Sequence, residues 1–107
     1  MEEIVVFDSI EIARQVIPEG EKRQVRIGTR KLCLAHFQGE FYAMDDACPH
    51  LGHSLTQGNL NPFREIVCPL HTYRFLMTTG EEAEQRCKAL KTYPVIANDR
   101  VIIILES

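Results

Sequence analysis

Two short clusters hold most of the residues in this chain that could do chemistry. Cys48-Pro49-His50 sets a thiol and an imidazole one residue apart, and Cys68-Pro69-Leu70-His71 sets a second such pair two residues apart, with the 17 residues from Leu51 to Val67 between them. Each pair is mixed. A two-iron two-sulfur cluster in which two thiolates hold one iron and two neutral imidazoles the other suits that pattern, because each of two loops can give one ligand to each iron. Two cysteines and two histidines also satisfy tetrahedral zinc, although structural zinc sites usually pair like with like. The mixed pairs favour the cluster, and a zinc-stabilised interaction module stays open as the alternative. Pro49, Gly52 and Pro69 supply turning: proline fixes its own φ, and glycine lets backbone approach with no side chain in the way.

The elements that must position these residues read as strands. Val, Ile, Phe and Tyr recur in short runs broken by Gly, Pro, Asn and Asp, which predicts a mostly β domain. Candidate strands are 4–7, 24–27, 31–37, 41–45, 65–68, 73–77, 91–97 and 100–105, with tight turns at Gly28-Thr29-Arg30, Gln38-Gly39-Glu40 and Asn98-Asp99. The nearly unbroken apolar runs Lys31-Leu32-Cys33-Leu34-Ala35-His36-Phe37 and Val101-Ile102-Ile103-Ile104-Leu105 predict central strands covered on two faces. Residues 9–17 read as either a short helix capped by Ser9 or a loop. The strand pattern breaks at 46–61 and 69–74, the segments with the thiols and imidazoles, as expected of loops carried by a scaffold.

Composition sets the limits. At 107 residues and 45% apolar content, with no repeat or linker, the chain reads as one domain over 1–107. A formal charge of −3 argues against nucleic acid as a partner. Met1-Glu2-Glu3-Ile4 is neither basic nor apolar, and no apolar run nears the ~20 residues of a spanning helix, so the expectation is a cytoplasmic protein with no membrane partner. In a reducing compartment, cysteine and histidine clusters bind metal more often than they form disulfides. The chain has no Gly-x-Gly-x-x-Gly turn and no length for a second catalytic domain, so it reads as a carrier or small subunit rather than a complete enzyme, with no catalytic residues of its own.

Cys48-Pro49-His50-Leu51-Gly52-His53 followed by Cys68-Pro69-Leu70-His71 resembles the Rieske cluster-binding motif. The likeness extends to Gly39-Glu40-Phe41-Tyr42-Ala43-Met44-Asp45-Asp46, to Thr79-Gly80 and to Leu90-Lys91-Thr92-Tyr93-Pro94-Val95. It implies an all-β, Rieske-type antiparallel β-sandwich with a small two-loop cluster-binding subdomain at about 45–80. It also implies one [2Fe-2S] cluster per chain on Cys48, His50, Cys68 and His71, and one-electron transfer as the function. Respiratory Rieske proteins have disulfide-forming cysteines where this chain has His53 and Leu70, and a serine and a tyrosine where it has Tyr73 and Phe75. Fewer hydrogen-bond donors near the sulfurs imply a potential toward the lower end of the roughly −150 to +300 mV Rieske range. Soluble ferredoxins of ring-hydroxylating oxygenases and small subunits of NAD(P)H nitrite reductases lack the disulfide in the same way. The run His71-Thr72-Tyr73-Arg74-Phe75 with Thr79-Gly80 is more similar to the nitrite reductase group. The implied partners are a reductase and an oxygenase, or a nitrite reductase large subunit.

Other polar and thiol residues read as structural. His53 is expected near the site but not as a ligand, His36 as a packed or edge histidine, and Cys33 as a small buried hydrophobe. Cys87 lies in the polar segment 81–88 and is expected to be exposed. Glu81-Glu82-Ala83-Glu84 reads as a solvated face. In Rieske relatives the segment near 81–90 often covers the cluster and often contains proline; here it has none.

Overall fold

The computed structural model describes residues 1–70 and 72–105. His71, the fourth expected ligand, lies outside the described residues. Among the described residues ten strands and one α-helix run in the order β1 (Glu2–Phe7), α1 (Ile10–Val16), β2 (Lys22–Ile27), β3 (Arg30–Phe37), β4 (Glu40–Asp45), β5 (Asn59–Asn61), β6 (Glu65–Val67), β7 (Arg74–Leu76), β8 (Thr92–Tyr93), β9 (Val95–Ala97) and β10 (Val101–Leu105), with a short 3-10 turn over Leu55–Gln57 between β4 and β5. They form three antiparallel sheets, β1-β10-β9, β2-β3-β4-β8 and β5-β6-β7.

β3 is the hinge of the architecture, and its alternation explains why. Successive side chains of a strand point to opposite faces. Leu32 and Leu34 enter one core with Phe41, Ala43, Val101, Ile103 and Leu105, against which Ile10, Ala13 and Ile17 also pack. Cys33 and Ala35 enter a second core with Met44, Leu55, Ile66, Phe75, Met77 and Leu90. As predicted, β3 is covered on two faces, and Cys33 is fully buried within it. β10 differs. Val101, Ile103 and Leu105 are buried, but Ile102 and Ile104 are only half-buried, because nothing as thick as the second core covers that face.

Local chemistry accounts for the connections. Gln38 and Gly39 form a two-residue hairpin turn with φ of 51° and 79°, positive as the primed turns require. Residues 9–17, open between helix and loop, are helical from Ile10 to Val16. Ser9 Oγ caps the helix by accepting from the Ile12 N–H at 3.4 Å, and the Ile17 N–H closes the end on Ala13 O. The expected single strand at 91–97 is two strands split at Pro94. That residue has no N–H to give a ladder, so β8 pairs with β4 and β9 with β10. β5 was not expected, since Asn59-Leu60-Asn61 carries little strand signal; it forms by pairing with β6.

Candidate metal centre

Asp46 begins the first loop and ties it to the sheet. Its N–H donates to Lys31 O and its carbonyl accepts from Leu55 N–H at 2.7 Å. Its carboxylate is 3% exposed and accepts from Gln24 Nε2 and Ser54 Oγ at 2.7 Å each, from the Thr56 N–H at 2.9 Å, and from the Thr56 hydroxyl. Burial alone would push this carboxyl's pKa up, but the hydrogen bonds from Thr56, Ser54 and Gln24 outweigh it and hold the group below the usual range. Sequence reasoning missed this anchor. The cue was present in Asp46 and Thr56 flanking the loop, but three partners from two elements are invisible in one dimension.

Beyond Asp46 the chain turns tightly. The Gly52 N–H donates to Cys48 O at 2.7 Å and the Cys48 N–H to His53 O at 2.9 Å, which closes a compact loop around His50. Gly52 has φ 77° with open space where a Cβ would stand, so glycine is needed there for conformation and not for close approach, as its sequence context had implied. The close approach occurs at Gly58 instead, where an added Cβ would lie 1.9 Å from Val67 O, the residue before Cys68. The two loops are thereby pressed together. In the second, the Cys68 N–H donates to Tyr73 O at 2.8 Å. Thr72 sits at φ 53°, a left-handed conformation unusual for a β-branched residue, of the kind that collects at functional sites.

The two loops bring Cys48 and Cys68 side by side. Both are free thiols and at most 2% exposed, and they lie close enough for each to act on the other electrostatically. Burial, then the neighbouring Cys48, pushes the Cys68 thiol pKa up. His50 is half-buried and stacks on Tyr73, with ring centroids 4.2 Å apart and planes 14° apart. Among the described residues no three His, Cys, Asp or Glu side chains group closely enough to hold a single metal ion. The donor set fits a [2Fe-2S] group: two adjacent, water-shielded thiols from two loops, and a half-buried imidazole two residues from Cys48.

The segment after the second loop departs from expectation. Cys87 is partly buried against the second core, close enough to Cys48 and Cys68 to be felt electrostatically, and Leu90 is 2% exposed, so this stretch covers the thiol pair without a proline. Glu82 is buried too, and not part of a solvated face. It forms a bridge with Phe75, and the Ala83 N–H donates to Arg74 O, which draws the segment under the loop. His53 offers its carbonyl to Cys48. His36, as expected, is packed: it is 5% exposed, its Nδ1 lies 2.8 Å from Ile17 O, and it stacks on Phe41.

Residues 9–94 match the Rieske [2Fe-2S] domain family. The chain is similar to the ferredoxin subunit of 3-phenylpropionate/cinnamic acid dioxygenase from Photorhabdus laumondii, with 39% identity over 92 residues, 85% of this chain and 87% of that protein. Among solved structures it resembles a complex of reduced oxygenase and oxidized ferredoxin in carbazole 1,9a-dioxygenase, with a TM-score of 0.78 and 28% identity over 94% of this chain and 91% of that one. It also resembles a protein assigned as the small subunit of an NADPH nitrite reductase, with a TM-score of 0.80 over 98% of this chain and 100% of that one. At 16% identity that last likeness shows the fold alone.

Proposed function

We propose, since this chain belongs to the Rieske [2Fe-2S] domain family, that it is the ferredoxin component of a ring-hydroxylating oxygenase system, with Cys48, His50, Cys68 and His71 as the cluster ligands. It is a one-electron carrier whose partners are a reductase and an oxygenase. Residues 1–107 act as a single domain, with the cluster bound by about 45–80, and the protein works in the cytoplasm, where reducing conditions keep its four thiols free.

One observation carries this reading: two buried thiols from two loops lie side by side beneath a tip where Leu51 and Leu70 are 58% and 39% exposed. When bound, the cluster supplies a reversible one-electron change. Cys48 and Cys68 would hold the inner iron, with Leu55, Ile66 and Phe75 keeping water from that side. His50 and His71 would hold the outer iron, and the exposed leucines beside them offer an apolar contact for a partner. The 39% identical oxygenase ferredoxin favours this role over the nitrite reductase small subunit, to which the run from His71 to Phe75 had inclined.

Visible absorption and electron paramagnetic resonance spectra of the purified protein, before and after dithionite, test the cluster. A red-brown protein with the rhombic reduced signal of mixed thiolate and imidazole ligation is expected, and lost in Cys48→Ser and Cys68→Ser. A colourless protein with one zinc per chain overturns it in favour of the interaction module.

A further inference from the structure

Behind the second loop, a line of contacts runs from a buried carboxylate to His50. Glu82 Oε1 accepts from Arg86 Nε at 3.1 Å and Oε2 from Arg86 Nη2 at 2.7 Å, a two-pronged charge-assisted pairing. Oε1 also accepts from the N–H groups of Arg86 at 2.9 Å and Glu84 at 3.1 Å, and Oε2 from that of Arg74 at 3.3 Å. The carboxylate is thus locked to backbone, and it locks the guanidinium. Arg86 Cζ in turn lies over the Tyr73 ring, 4.0 Å from its centroid. The same ring stacks on the His50 imidazole at 4.2 Å. Two flat groups this close to one centroid would collide on a single face, so the Tyr73 ring is sandwiched between guanidinium and imidazole.

We infer that Arg86, fixed by Glu82, is a positioning residue that holds the His50 imidazole through the Tyr73 ring and thereby sets the geometry and the reduction potential of the metal centre. The inference rests on His50 being a cluster ligand. A guanidinium over one face of an aromatic ring is attracted by the ring's negative face. The ring it immobilises then presents a fixed plane to the imidazole. Outer contacts of this kind orient a ligand that would otherwise rotate about its side-chain bonds. Arg86 also has an electrostatic part. Its positive charge offsets the Glu82 carboxylate, and without it a buried anion would stand near a centre that must accept an electron.

The test compares holoprotein of the wild type with Arg86→Gln, Arg86→Lys and Tyr73→Leu, reading midpoint potential by redox titration and the reduced signal by electron paramagnetic resonance. Arg86→Gln should lower the midpoint, and Arg86→Lys, which restores the charge, should recover most of the shift. Tyr73→Leu keeps the ion pair and apolar packing but removes the ring on which the imidazole stacks, so its signal should broaden and its g values move. A wild-type midpoint in Arg86→Gln, no recovery in Arg86→Lys, or an unaltered signal in Tyr73→Leu overturns the inference; if Arg86→Gln fails to load a cluster, Tyr73→Leu decides it. A wild-type spectrum without the mixed-ligand signature overturns the ligand assignment and the inference with it. A proper wild-type signature with unmoved variants overturns the inference alone.

Discussion

Glu82 differs from Glu81 and Glu84 in being buried and in the number of donors that reach it. The side-chain hydrogen bonds from Arg86 hold its carboxyl at about 2, against the opposing effect of burial, with the N–H groups of Arg86, Arg74 and Glu84 adding to them. A folded-state pKa below the unfolded value means stability that is fully present above about pH 4.5 and lost as pH falls toward about 2. The contribution is on the order of 2–3 kcal/mol, and Glu82→Gln should remove it. Urea midpoints measured between pH 6 and pH 2 are expected to fall less steeply in Glu82→Gln than in the wild type. Parallel curves would show that the carboxylate is not coupled to folding. Nothing in Glu81-Glu82-Ala83-Glu84 marks which glutamate is buried, because the choice is made by Arg74 and Phe75, which reach Glu82 only after the second loop has closed.

Among the elements, β3 and the two loops respond to different rules. β3 was readable because its alternation is local: Leu32 and Leu34 face one core while Cys33 and Ala35 face the other. The loops were readable as loops, but not in how they meet. Gly52 and Gly58 separate the two cases. Alanine at Gly52 meets open space and pays only for a left-handed backbone, about 1–2 kcal/mol. Alanine at Gly58 would put a Cβ 1.9 Å from Val67 O, and backbone cannot yield cheaply there, so about 3 kcal/mol or more is expected. Gly58→Ala should therefore also lower iron content per chain, by moving Cys68 away from Cys48, while Gly52→Ala largely keeps it. Equal stability losses for the two, by denaturant titration, would contradict the close approach.

Across the whole molecule, one sheet serves two tasks: one face builds the core with β10 and α1, the other carries the thiol-bearing loops. The second core is apolar up to the thiols. Phe75, fully buried, brings no hydroxyl donor. A lining poor in hydrogen-bond donors would disfavour the reduced, more negative centre. The midpoint is expected in the lower part of the roughly −150 to +300 mV range, and a redox titration placing it above about +150 mV would contradict the argument. Among the described residues no helix is long and apolar enough to cross a membrane.

By itself the sequence determined the types and spacing of the candidate ligands, the β class and the two-sided burial of β3, because each depends on neighbours within a few positions along the chain. Only the tertiary structure decided the side-by-side placement of Cys48 and Cys68, the pairing of Glu82 with Arg86 beneath Tyr73, and the split at Pro94 that sends β8 and β9 to different sheets. Those features depend on which distant segments share a core, and a buried polar or charged group is stable only where such segments supply its partners.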